Sequence, residues 1–151
     1  MAAFVSQPAP NFTADAYDNG EFREISLNEF KGKKVVLFFY PLDFTFVCPT
    51  EILAFAESLE NFKQRNTVVL GCSVDSKFTH RAWARVPREE GGIKGVNFPL
   101  LSDLNKTIAR DYGILLDEGV ALRGLFIINK DGILKHATIN HNDVGRNIDE
   151  V

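Results

Sequence analysis

Cysteine is scarce in this chain: its 151 residues hold two, Cys48 and Cys72. Two thiols with unrelated flanks argue against the dense disulfide framework of small secreted domains. The three histidines, His80, His136 and His141, show no metal-ligand spacing, either among themselves or with the cysteines, which leaves zinc without a binding pattern. No apolar run approaches the roughly 18 residues that a membrane-spanning helix needs. The opening Met1-Ala2-Ala3-Phe4-Val5-Ser6-Gln7-Pro8 has neither the basic stretch nor the apolar stretch of a signal peptide. A basic excess is missing too: 17 Lys and Arg face 20 Asp and Glu, for a formal net charge of −3, so nucleic acid and anionic membranes are not expected partners. Tryptophan occurs once and tyrosine three times, against 13 phenylalanines. Phenylalanine is therefore expected to dominate the core and to supply any surface for self-association. No internal repeat, low-complexity stretch or long linker interrupts the chain. The length suits one domain, the 45% hydrophobic content suits a packed core, and the cysteine usage suits a reducing cytoplasm.

What is present reads as alternating strands and helices. Asn11 to Tyr17 predicts a first strand, ended by the turn Asp18-Asn19-Gly20. Ser26-Leu27-Asn28-Glu29 matches a capping box ahead of a short helical turn. Lys34 to Tyr40 is a continuous apolar run, too short for a long helix and rich in β-formers, as in a fully buried central strand. Pro41 stops it. A helix is predicted from Pro49 to Gln64, with Ile52, Phe55, Ala56, Leu59 and Phe62 on one face. Thr67 to Val74 reads as a second buried strand, Lys77 to Val86 as a helix, and Phe98 to Leu101 as a short strand. Asp103 is expected to cap a helix running to Tyr112, with Gly113 as its stop. Leu122 to Asn129 and Ile133 to Ile139 flank Asn129-Lys130-Asp131-Gly132, a hairpin turn. The order predicts an α/β fold, a central mixed sheet with helices on both faces and a C-terminal hairpin. Asn147 to Val151 reads as the first turn of a helix that stops abruptly, which leads us to expect that the natural chain continues.

Cys48 lies where the central strand gives way to the amphipathic helix. A helix N-terminus presents unpaired N–H groups and a partial positive charge. A thiol there loses its proton more readily, and the thiolate is the nucleophile. Thr45 adds a hydroxyl three residues earlier, while Phe46 and Val47 exclude water. Cys72, in the middle of Leu70-Gly71-Cys72-Ser73-Val74, reads as a small buried hydrophobe. Arg123 is conspicuous in a run that is otherwise apolar. Taken from the residues alone, it is either an edge-strand surface arginine or a buried cation in need of a partner. His80, beside Arg81 and Trp83, reads as helix surface or interface.

Pro41-x-x-x-Thr45-x-x-Cys48 resembles the active-site motif of the peroxiredoxins, and the longer Phe39 to Glu51 string, FYPLDFTFVCPTE, resembles the typical 2-Cys subgroup. The likeness continues through Gly71 to Trp83, Phe98 to Asp103, Ala121 to Asn129 and Val144 to Glu150. It implies a single thioredoxin-like domain over residues 1–151 that lacks the family's C-terminal resolving-cysteine region. It also implies a thiol-dependent peroxidase reducing hydrogen peroxide and alkyl hydroperoxides without metal or organic cofactor. By the same resemblance Cys48 is the peroxidatic cysteine that becomes a sulfenic acid. Thr45 and Arg123 contact thiolate and peroxide, Pro41 screens the sulfur from solvent, and Glu51 and Arg146 orient the network. The implied partners are a thioredoxin-like thiol reductant and a second copy of the chain, with dimers formed by edge-strand pairing and decamers through loops near the site. Phe44, Phe78 and Trp83 are candidates for those contacts, with plain core packing as the alternative. Gly91-Gly92-Ile93-Lys94 stands where the family carries Gly-Gly-Leu-Gly, and the last glycine is missing. Two other readings compete. A disulfide oxidoreductase would want Cys-x-x-Cys, and Cys48-Pro49-Thr50-Glu51 lacks the second sulfur. A ring-forming chaperone or scaffold would need the assembly but no peroxide chemistry.

Overall fold

The apolar run after Lys34 becomes strand β3 (Lys34–Phe39), buried at every position but its first. Val35, Leu37 and Phe39 enter one core and Val36 and Phe38 another, the period-two alternation of a pleated strand covered on both faces. The computed structural model describes residues 3–45 and 48–142, with Cys48 and Pro49 described by their backbone alone.

Around β3 the described residues form a seven-stranded mixed sheet in the order β2-β1-β5-β4-β3-β6-β7. The other strands are β1 (Thr13–Asp18), β2 (Glu21–Ser26), β4 (Thr67–Ser73), β5 (Leu100–Ser102), β6 (Arg123–Ile128) and β7 (Leu134–Asn140). β3, β4 and β5 run parallel, and the remaining pairs are antiparallel. Leu37 stands opposite Leu70 on one side and Phe126 on the other. Among the described residues four α-helices cover the faces: α1 (Cys48–Glu57), α2 (Leu59–Gln64), α3 (Lys77–Ala84) and α4 (Thr107–Asp111). Ile52 and Phe55 of α1 and Trp83 of α3 pack with Val36, Phe38, Val69 and Leu100. Ile108 and Ala109 of α4 pack with Leu37, Leu70, Leu101 and Phe126 on the opposite face. Phe38 stacks on Phe55 at a ring separation of 4.4 Å, so α1 is clamped to the strand that leads into it.

Several local expectations give way to tertiary context. The turn at Asp18-Asn19-Gly20 does not merely end β1; it returns the chain into β2, paired from Thr13 opposite Ser26 to Asp18 opposite Glu21. β2 carries three charges in six residues and buries Ile25 alone, so it has little hydrophobic pattern to read. Ser26 does not close a capping box, because its Oγ lies 2.6 Å from Thr13 Oγ1 across the hairpin; the turn that follows, Leu27–Phe30, is a short 3-10 segment. The helix expected from Pro49 to Gln64 breaks at Ser58, where ψ is 3° and the chain restarts as α2. Serine favours such a break, since it competes with helical hydrogen bonding. Asp103 does cap, accepting from Ile108 N at 3.0 Å and Ala109 N at 2.8 Å, but it reaches over an intervening turn to a helix of five residues. Gly113, at φ 77°, ends that segment in the left-handed conformation that glycine adopts without strain. In the C-terminal hairpin the Asn129 side chain accepts from Asp131 N and Ile133 N, and Gly132 takes φ 83°.

Candidate functional site

β3 ends at Phe39, and half-buried Pro41 opens the loop to α1, whose first residue is Cys48. The cysteine therefore sits at the carboxyl end of a central strand, where open α/β sheets place their chemistry. Pro49 falls in the first helical turn, where a missing N–H costs nothing.

Glu51 follows in that same turn and is buried, 4% exposed. Arg123, the first residue of β6, reaches it from the other side: Nη1 donates to Glu51 Oε1 at 2.6 Å, and Nε donates to the Asn142 carbonyl at 2.8 Å. Arg123 is 3% exposed on a strand held between β3 and β7, which removes the edge-strand reading. A charge so placed persists only when paired and hydrogen-bonded, and this one is both. Residues three apart on a helix share a face. The backbone thus sets position 48 on the same side of α1 as the carboxylate that holds a permanent cation.

The loop between β3 and α1 is anchored by a buried polar network. Tyr40 Oη donates to Asp43 Oδ1 at 2.7 Å, His80 Nδ1 lies 2.7 Å from Asp43 Oδ2, and Asp43 N donates to Asp75 Oδ2 at 2.8 Å. His80 Nε2 is 2.9 Å from the Leu101 carbonyl, which can only accept. Both ring nitrogens therefore face acceptors, the arrangement that suits an imidazolium. Burial alone would push the His80 pKa down; the hydrogen bond and charge of Asp43 outweigh it and carry it above the ordinary value. Burial draws the Asp43 carboxyl up, while its bond to His80 holds it back. Burial, reinforced by the charge of Asp43, keeps the Tyr40 phenol neutral. Next to this anchor Phe44 adopts φ 64°, unusual for a bulky residue, and lays its ring 5.8 Å from that of Trp83.

Among the residues singled out from sequence, Glu51 and Arg123 are brought into contact. Thr45 lies in the anchored loop, and its Oγ1 donates to the Leu42 carbonyl at 3.0 Å. Arg146 and the Val144 to Glu150 motif lie outside the described residues. Cys72 is fully buried, and burial together with the charge of Asp103 pushes its thiol well above the ordinary range, as befits a structural hydrophobe. One expectation is corrected: His80 is not helix surface or interface but fully buried. Trp83 takes the core-packing alternative, its Nε1 donating to the Gly91 carbonyl at 3.1 Å. Phe44 and Phe78 do remain exposed. Asp43 and Asp75 were not legible as anchors. The usable signal was the spacing of His80, Trp83 and Ala84: once tryptophan faces the core, a residue three positions earlier faces it too.

Residues 5–137 match the AhpC/TSA family. The chain is 54% identical over 147 residues to Peroxiredoxin-4 of Dictyostelium discoideum, covering 97% of this chain and 57% of that one. It is 53% identical over 151 residues to the Thioredoxin peroxidase of Echinococcus granulosus, covering 99% of this chain and 78% of the relative. The first of these relatives is thus spanned along little more than half its length. Among solved structures, the reduced 2-Cys peroxiredoxin of Plasmodium vivax superposes with a TM-score of 0.96 at 47% identity, covering 98% of this chain and 78% of the other. The mixed sheet with helices on both faces is accordingly the thioredoxin-like α/β architecture of those structures.

Proposed function

The chain belongs to the AhpC/TSA family, and from that premise we propose that it is a thiol peroxidase whose nucleophile is Cys48. The Cys48 thiolate attacks one oxygen of hydrogen peroxide or an alkyl hydroperoxide. An S–O bond forms, the O–O bond breaks, and the departing oxygen leaves as water or alcohol after taking up a proton, so sulfur ends as sulfenic acid. Negative charge grows on the departing oxygen, and donors preorganised towards it lower the barrier. The observation that carries this reading is the buried Arg123–Glu51 pair, built onto the helical turn that Cys48 opens. Arg123 supplies the permanent cation, Glu51 fixes its direction, and Thr45 contributes the hydroxyl. Pro41 shapes and screens the loop, and Arg146 adds a second guanidinium.

A thiol reductant of the thioredoxin class regenerates Cys48: its first thiol condenses with the sulfenic acid, releasing water, and its second resolves the mixed disulfide. A reducing, cytoplasmic setting suits that cycle and suits the free buried thiol of Cys72. Assembly as a homodimer, with decamers built from dimers, belongs to the same reading. The test is intact mass after one equivalent of hydrogen peroxide, together with peroxide consumption in a single turnover. The expected result is a gain of one oxygen or its thiol adduct at Cys48, abolished in Cys48→Ser and retained in Cys72→Ser. Consumption that survives Cys48→Ser overturns the proposal, and an assembled but inert protein would favour the scaffold reading.

A further inference from the structure

At the opposite end of the sheet from Cys48, the amino ends of the parallel strands β3, β4 and β5 meet α2 around a cavity of about 350 Å3. That volume falls within the range of small-molecule sites. The six residues of β3 put roughly 20 Å between this cavity and the loop before Cys48. Its floor is formed by Leu59, Val69 and Phe98, all buried within the core on the α1 face. Its rim carries two exposed ammonium groups, Lys33 and Lys63, and two carboxamides, Asn66 and Asn97. Asn66 Nδ2 donates to the Gly32 carbonyl at 3.1 Å and Asn97 Nδ2 to the Ala56 carbonyl at 3.4 Å, which fixes both amides in place. Among the described residues no carboxylate lines the cavity, and neither lysine has an acidic partner in ion-pair contact. Lys34 and Arg65 stand exposed beside it. In a chain of net charge −3, this pole is locally positive.

We propose that this cavity binds a small organic monoanion with a flat apolar body, an aryl carboxylate in class. The apolar floor takes the ring system, and the carboxylate sits between the ammonium groups of Lys33 and Lys63, with the amide hydrogens of Asn66 and Asn97 at the rim. An inorganic anion would leave the floor in contact with water, and an uncharged aromatic would leave two lysines unmatched. The site is independent of the peroxide chemistry: no lining residue belongs to the Cys48 loop, α1 or β6.

The test is a methyl-TROSY titration of Leu- and Val-labelled protein, which tolerates any oligomer size, with naphthalene-2-carboxylate as the probe. Saturable shifts centred on Leu59, Val68 and Val69 are expected. The neutral analogue naphthalene-2-methanol should bind about tenfold more weakly, as should naphthalene-2-carboxylate to the doubly substituted Lys33→Gln, Lys63→Gln protein, since each exposed charge contact is modest. Both lysines are exposed, so the variant is expected to fold and to consume peroxide as the parent does. Shifts centred elsewhere, shifts that never saturate, equal affinity for the neutral analogue, or full affinity in the variant would each overturn the proposal. Inorganic phosphate that displaces the probe at equal concentration would overturn the role assigned to the apolar floor.

Discussion

Arg123 shows what a single residue must satisfy to sit where it does. A guanidinium at 3% exposure would carry a large desolvation cost alone, and Glu51 with the Asn142 carbonyl offsets it. Removing one member therefore takes from the other, still charged and buried, its partner in this ion pair. Arg123→Ala is expected to lower stability by about 3–5 kcal/mol, read as a drop in the urea midpoint. If the cation also steadies the leaving oxygen, the rate of reaction with peroxide should fall by about 10²–10³, the usual loss for one preorganised donor. Arg123→Lys separates the two effects. It retains the charge but lacks the planar fork that engages carboxylate and carbonyl together, so stability should recover more than rate. Stopped-flow kinetics beside equilibrium unfolding would show this, and a rate within a few-fold of the parent in Arg123→Ala would remove Arg123 from the chemistry. A partner for Arg123 was one of the two readings that its apolar neighbours left open. Which partner was not legible, because Glu51 lies 72 positions away along the chain and only the packing of α1 against β6 brings them together.

At the scale of elements, the loop into α1 owes its shape to α3. Asp43 holds the loop from within, His80 holds Asp43 from α3, and the Leu101 carbonyl in the middle of β5 holds His80. Three elements thus meet on one imidazole. Because the folded pKa of His80 lies above its unfolded value, its contribution to stability is fully present below the ordinary histidine value of 6.5 and is lost as pH rises through the folded value. The melting temperature of the parent should therefore fall more steeply between neutral and alkaline pH than that of His80→Asn, which has no such proton to lose. Thermal melts across that window check it, and parallel pH profiles would contradict it. Nothing in the composition of α3 announced this role. Its start at Lys77 was legible, and the Ser76 hydroxyl accepts from Thr79 N at 3.2 Å as an N-cap should, although the helix ends at Ala84 rather than Val86; a polar residue on the core face defies binary patterning and is resolved only by its neighbours. The division of α1 from α2 was hidden for a related reason: apolar spacing continues across Ser58 although the backbone does not.

Across the whole molecule, the sheet sets the hierarchy of stability. Apolar runs made β3 and β4 legible, and period-two burial gave them two covered faces. The strand order was not legible, since β5 enters between β1 and β4 through pairings of high sequence separation that local pattern does not encode. The centre is tight where β4 lies between β3 and β5. A Cβ added at Gly71 would stand 2.9 Å from both Phe38 Cζ and Leu100 Cδ2, closer than side chains pack. Phe38 cannot retreat easily, because its ring is stacked on Phe55 and meets Phe98 edge-on at 5.7 Å. Gly71→Ala is therefore an overpacking change, with an expected cost of about 1–3 kcal/mol. It should lower the urea midpoint without changing the slope, because the surface exposed on unfolding is the same. The strain also has a direction. Phe55 belongs to α1, so a shifted Phe38 pushes on the helix that begins at Cys48, whereas the α4 face meets β3 through Leu37 and Phe39 instead. Hydrogen exchange in Gly71→Ala should accordingly quicken in α1 more than in α4. Equal acceleration in the two helices would mean that the two cores flanking the sheet yield as one.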